Sequence, residues 1–333
     1  MEKVRNLCRH NFAWILLLVC CIIFTVFSDN FLTVRNILNI LNQNAYILIA
    51  AFGYAFIMMS GGMDLSVGYM MSITGVVSAY MAAKFGWPLP IVIILTITLC
   101  AGLSLLNTIL SHLLGITRIF VSFGTMTVFQ GVAYILSDSK TISGFSNNYK
   151  FIGQGTLFGT NFTFALLLTI ILGLIVSFIL NKTYFGRYVF ALGGNPDAAR
   201  LAGINVKRVE LYIGLISGVL IGISSLVLTS RVAAAQANTA AGTEFTVIVG
   251  LLLGGISIRG GAGKINGCIA GILIIALIGN GMQMAGINIY YQYVAKGAIM
   301  MVTIGMDTYQ VKRKNALNAI RKDNSAVGEQ LRE

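Results

Sequence analysis

Charged side chains are sparse enough along this chain to section it on sight. No Asp, Glu, Lys or Arg falls in 10–28, 36–63, 65–83, 85–117, 119–137, 151–181, 211–230, 245–258, 265–295 or 297–306. A helix needs about 20 predominantly apolar residues to cross the hydrocarbon core of a bilayer. Trimmed of polar and glycine-rich ends, the tracts predict spans at 12–28, 44–60, 66–83, 90–110, 118–137, 162–181, 210–229, 244–258, 265–285 and 289–306. The expected fold is an all-α polytopic membrane protein with about ten transmembrane helices, some discontinuous. Its expected divisions are an N-terminal segment 1–11, a transmembrane domain 12–308 and a C-terminal tail 309–333.

Several tracts carry finer signals. The first follows a basic start, as a secretory signal would, but it ends V-F-S-D-N-F without a small-x-small cleavage site, so we read an uncleaved anchor. Thr33–Gln43 spaces Val34, Ile37, Leu38 and Leu41 on one helical face behind a Thr cap. It reads as a short helix on the outer surface or as an extension of the second span. Phe245–Ile258 would reach only about 21 Å at the helical rise, short of the roughly 30 Å core. It and the second span both run into a double glycine: Ser60–Gly68 reads S-G-G-M-D-L-S-V-G and Leu253–Gly261 reads L-G-G-I-S-I-R-G-G. Glycine breaks in spanning helices are where transporters expose backbone groups. Gly61, Gly62, Gly254 and Gly255 are therefore expected beside a pathway, with two tight turns of similar composition as the plain alternative.

Composition settles the class. The 333 residues are 56% hydrophobic and 10% charged, against roughly 25% charged in soluble domains, so a soluble enzyme would lack the polar surface to cover itself. The net charge of +12 points to orientation, not to nucleic acid. With the N-terminus inside, 17 of the 23 Lys and Arg lie in inner segments, six of them beyond Asp307. Positive loops stay cytoplasmic, so both termini are expected there. The five cysteines have no paired spacing and are expected to form no disulfide.

Motifs that carry chemistry are few. Arg259–Ile265 reads R-G-G-A-G-K-I, but a phosphate loop requires a glycine five before the Gly-Lys pair and Ser or Thr after it, where Ile258 and Ile265 stand. His10 and His112 have no ligand spacing, and no G-x-S-x-G elbow occurs. No catalytic residue, metal or cofactor is expected on the chain. Ionisable groups at span ends are limited to Asp64, Glu244, Lys296 and Asp307. Asp64 and Ser66 are expected to satisfy backbone groups at the break. Asn107, Gln130, Asn280 and Gln283 lie within spans, where uncharged polar groups either bond between helices or line a route for a polyhydroxylated solute.

Segment 182–209 is the longest charged stretch before the tail. In Gly193–Gly203, Asn195 suits a helix cap, Pro196 the first helical position and Asp197 the positive end of the dipole. Ala198, Ala199, Arg200, Leu201 and Ala202 propagate a short helix that Gly203 stops. So short a helix is marginal alone and should dock, its small face formed by Ala198, Ala199 and Ala202, between hinges at Gly193–Gly194 and Gly203.

Gly61–Gly68, Gly193–Val206, Leu252–Gly267 and Tyr290–Gly297 together resemble the permease subunit of ribose/galactoside-type sugar importers of the ATP-binding cassette class, in order from about Phe31 to Asp307. The departures are mild: such permeases often carry Ile at the position of Met63 and Thr or Ser at those of Ile256 and Ile258. The resemblance implies a bacterial inner-membrane permease that pairs with a second permease copy. It also implies a cytoplasmic ATPase that handles ATP and Mg, an extracytoplasmic sugar-binding protein, and a coupling helix at 193–206. Nucleosides and branched-chain amino acids are cargo of remoter relatives. A secondary carrier or a non-transporting scaffold is the alternative from another class.

Overall fold

The computed structural model describes residues 12–27, 30–157, 159–306 and 308–309. The chain within them is helical almost throughout: α1 (Phe12–Phe27), α2 (Val34–Met59), α3 (Val67–Ala79), α4 (Leu89–Leu114), α5 (Arg118–Ser137), α6 (Asn147–Gln154), α7 (Phe164–Lys182), α8 (Tyr184–Gly194), α9 (Pro196–Leu201), α10 (Val206–Val232), α11 (Thr243–Leu253) and α12 (Ile265–Met284). A last helix, α13, covers 289–306. Two small antiparallel ladders join loops: β1 (Ile142–Ser143) with β4 (Ala234–Ala235), and β2 (Thr156–Leu157) with β3 (Phe162–Thr163).

Each predicted tract holds a helix, and the extents differ for physical reasons. α2 starts ten residues before the predicted span and runs unbroken for 26 residues, capped where Thr33 accepts the Asn36 N–H. Thr33–Gln43 is thus the extension of the second span. α3 gives way to a π-helical turn at Tyr80–Lys84. α11 stops at Leu253, five residues short of the predicted end, because Gly255 turns into the left-handed region at φ 80°. Its carbonyls close a Schellman stop: the N–H of Gly255 reaches Leu252 O and that of Ile256 reaches Leu251 O. α2 ends the same way at Gly61, φ 85°. The equivalent glycines are therefore Gly61 and Gly255, one residue out of step with an alignment on the double glycines.

Among the described residues six helices, α2, α4, α5, α7, α10 and α12, are long and apolar enough to cross a membrane; α1 and α11 are apolar but shorter. Ile94, Leu113, Phe120, Ile135, Leu174 and Phe178 are exposed on the outer helices, whereas the interior holds buried Ser, Thr, Asn and Asp. Lipid is the solvent for such a surface, and the protein is a multi-pass membrane protein.

α2 and α10 form the centre, packed on each other, and α10 also lies along α4. Gly214, Gly218 and Gly222 recur every four residues on α10 and allow that approach. A Cβ at Gly218 would sit 2.6 Å from Ala101 Cα and one at Gly222 would sit 3.0 Å from Ile97 Cα. α11 and α12 meet through Gly250 against Gly271 and Gly254 against Gly267. Without a hydrophobic force between helices in lipid, such close van der Waals contact holds them together.

The bundle has two distinct ends. One gathers the turns after α2, α4, α9 and α11, and there the His112 and Glu210 side chains tie α4 to α10. At the other, Arg231 donates to Gln43 O, Asn42 donates to Asn161 O, and β1 pairs with β4. This second end also holds a hollow of about 300 Å³ lined by Tyr80, Lys84, Asp138 and Lys140. Outside the spans, the Lys140 hydrogen bond holds the Asp138 carboxyl below its ordinary range and raises Lys140 in return.

Candidate functional site

Asp64 follows the α2 stop and is fully buried. Its first oxygen accepts the Ser66 N–H at 2.9 Å and the Ser66 hydroxyl at 2.6 Å, closing the turn into α3. Its second accepts both Nε and Nη2 of Arg118, at 2.9 and 2.7 Å, and Asn107 Nδ2 at 3.3 Å. Arg118 opens α5, so its guanidinium reaches across the turn without leaving the helix end. Its remaining donors go to Thr108 Oγ1 at 2.8 Å and Ser104 Oγ at 2.9 Å on α4. Asn107 also donates to Ser66 Oγ at 2.8 Å and accepts from Thr125 at 2.7 Å. The Asp64 N–H donates to Tyr54 OH, and the Leu65 N–H to Ser122 Oγ. A buried charge is tolerated when paired and hydrogen-bonded, and here four helices, α2 to α5, and the turn between α2 and α3 are locked by one such network.

Beside it three turns meet backbone to backbone. Gly261 donates to Met59 O at 2.8 Å. A Cβ at Gly193 would collide with Met59 O and Gly261 N, and one at Gly260 would fall on Gly61 N and Cα and on Gly193 Cα. Gly61 and Gly260–Gly261, from the turns after α2 and α11, and Gly193, from the last turn of α8, thus form a junction that only glycine permits.

α8 leads from Thr183, whose hydroxyl accepts the Gly186 N–H, to Gly194. Asn195 Oδ1 then accepts the N–H groups of Asp197 and Ala198, both at 3.0 Å, and Pro196 opens α9. Gly203, at φ 83°, ends it, with its N–H on Arg200 O and that of Ile204 on Ala199 O. The face differs from the sequence expectation: Ala199 is only 4% exposed and packs into the core, while Ala198 and Ala202 are exposed and Leu201 is 90% exposed. A six-residue helix turns its faces within two turns, and the core contact of Ala199 sets which one is free.

Residues 36–304 match the family described as the branched-chain amino acid transport system / permease component. The chain belongs to this family. It is 32% identical over 316 residues to the ribose import permease protein of Haemophilus influenzae, covering 91% of this chain and 94% of that one. Against the ribose import permease protein of Bacillus subtilis identity is 34%, over 87% of this chain and 90% of the relative. The galactose/methyl galactoside import permease protein of Escherichia coli is 30% identical over 90% and 94% of the two chains. No solved structure matches.

In this permease the remaining candidates fall elsewhere. Asn280 exchanges two hydrogen bonds with Asn36, at 3.0 and 3.2 Å, toward the opposite end; it joins α12 to α2. Gln283 is exposed at the end of α12, and Gln130 is half-buried on α5, roughly 18 Å beyond Arg118 at the helical rise. Gly254 packs on Gly267, and Gly62 lies against Ile57. Glu244 is buried in the first turn of α11, where its Oε1 accepts the Gly242 N–H at 3.1 Å and Oε2 faces Gly68. Sequence reasoning did not select Arg118, Ser104, Thr108, Ser122, Thr125 or Tyr54. The available signal was charge: Asp64 and Arg118 are the lone acid and lone base at two span ends.

Proposed function

We propose that this chain is the membrane-spanning permease subunit of an ATP-binding cassette importer for a monosaccharide, with a ribose-like sugar as cargo. The names of its relatives, matched over about nine-tenths of its length, support the class. The observation that carries the mechanism is the glycine junction, which ties the segment leading into α9 directly to the turns after α2 and α11.

In this reading ten helices, α1 to α5, α7 and α10 to α13, cross the inner membrane, both termini are cytoplasmic, and the junction end faces the cytoplasm. A separate ATPase, which holds ATP and Mg, docks on α9; a second permease copy completes the pathway; a sugar-binding protein delivers cargo to the opposite end. Movement of α9 is passed by Gly193 and Gly194 to Gly61 and Gly260–Gly261, which carry the inner ends of α2 and α11. The Asp64–Arg118 network keeps α3, α4 and α5 rigid against that movement. Main-chain contact suits such a link, since it has no side chain to rotate away.

Reconstitution in proteoliposomes with the ATPase and the sugar-binding protein tests the reading. ATP-dependent uptake of ribose, measured beside xylose, galactose, arabinose and leucine, is expected. Uptake that follows an ion or sugar gradient without ATP would make the protein a secondary carrier, and leucine uptake would move it to the amino-acid branch of its family.

A further inference from the structure

We propose that the groove between α8, the 203–205 turn and the first turns of α10 binds one anionic phospholipid of the inner leaflet, its phosphate on Arg208. The groove has a volume of about 270 Å³ and is walled by Phe185, Tyr188, Ile204, Val209 and Tyr212, with Arg208 at its rim. That is smaller than the ~300–1,000 Å³ of pockets that enclose drug-sized ligands, and suits a headgroup with the first part of its chains better than a segment of a protein.

Three features select the lipid. Arg208 is exposed, and no carboxylate among the described residues pairs with it; a guanidinium in that state matches a phosphate diester in shape and charge. Its backbone is fixed, because Asn205 Oδ1 accepts its N–H at 3.1 Å in the first turn of a 27-residue helix, whose dipole adds positive potential there. Secondly, the walls are aromatic rings of the kind found at membrane interfaces. Tyr212 is 58% exposed, and Phe185 meets it edge-on at 6.4 Å while backing onto Phe56 at 6.1 Å. Thirdly, Arg208, Tyr212 and Leu215 stand at i, i+4 and i+7 on the exposed stripe of α10. The groove is therefore the foot of a lipid-facing stripe. Lys182, Arg187 and Lys207 are exposed nearby in sequence and raise the local anion concentration.

The site lies between the helices that flank α9, so an occupied groove would brace the base of the coupling element. The test uses the full chain purified in detergent. Native mass spectrometry with added phosphatidylglycerol or phosphatidylcholine, and thermal unfolding in the same lipids, give the readouts. Wild type is expected to retain and be stabilised by phosphatidylglycerol in preference to phosphatidylcholine. Arg208→Gln should lose about tenfold or more in apparent affinity, the loss of a charge-assisted hydrogen-bond pair, Arg208→Lys should lose less, and Lys84→Gln at the opposite end should behave as wild type. Equal retention by Arg208→Gln would overturn the site. So would stabilisation by soluble glycerol phosphate as strong as by the lipid, which would make it a free-anion site. Loss of ATPase co-purification by Arg208→Gln at unchanged lipid retention would assign the groove to the protein partner instead and overturn the lipid reading.

Discussion

The Arg118 guanidinium sets both its Nε and its Nη2 on a single oxygen of Asp64, 54 residues away in sequence, and the carboxylate is wholly buried. Breaking a buried pair by removing one partner costs about 3–5 kcal/mol, since the other charge is left uncompensated, whereas removing both costs far less. Asp64→Ala and Arg118→Met should each lower membrane levels and the thermal midpoint of the purified protein. The double variant Asp64→Ala with Arg118→Met should recover a large part of that loss. A double variant as unstable as the sum of the singles would show that the two residues do not act as a pair.

Gly193 and Gly194 are adjacent but meet different surroundings. A Cβ at Gly193 runs into Met59 O and Gly261 N, while one at Gly194 has nothing within 4 Å. Overpacking against backbone costs about 1–3 kcal/mol. Gly193→Ala should therefore separate the α8 end from the turns after α2 and α11 and cut transport severalfold, with Gly194→Ala close to wild type in the same vesicle assay. Equal activity of the two variants would remove the junction from the mechanism.

The two glycine sites also mark how far the sequence is legible. Helix positions follow from charge-free tracts, because in lipid a helix is the only open-ended element that satisfies its own backbone. The stop at α2 and the cap on α9 are local chemistry, visible in Gly61 and in Asn195-Pro196. What brings Gly193 to Gly261, or Asp64 to Arg118, is the packing of helices distant in sequence, and hydropathy carries no record of partners. The same holds for Ala199: its residue type suits either face of α9, and only the contact with the core decides that it points inward. The early stop of α11 hangs on one torsion at Gly255, where the sequence offers two glycines.

Topology has its own check. Reporter fusions after Lys314 and within 182–209 should read cytoplasmic, and one within 138–161 external, in keeping with the excess of Lys and Arg in the inner segments. The contacts of Gly193 with Met59 and Gly261 put the 182–209 segment at the same end as the α2–α3 turn. An external signal from 182–209 would invert the arrangement and remove α9 from the reach of any cytoplasmic ATPase.

The exposed face of α9 supplies the remaining prediction. Leu201 is 90% exposed on a helix that is anchored by Ala199 and capped at both ends, so it presents an apolar side chain to solvent from a fixed base. Burial of a Leu contributes about 1.5–3 kcal/mol, a factor of roughly ten to a hundred in an association constant. Leu201→Ser should therefore weaken co-purification of the ATPase by about that factor and reduce sugar-stimulated ATP hydrolysis, while leaving the thermal midpoint of the isolated permease unchanged. Ala199→Trp should do the reverse in order of cause: the ring cannot enter the core beside α9, so the midpoint falls first and docking is lost as a consequence. Retention of the ATPase by Leu201→Ser together with a normal midpoint would move the docking contact off α9, and the exposed turn at Arg259–Lys264 would then be the surface to substitute.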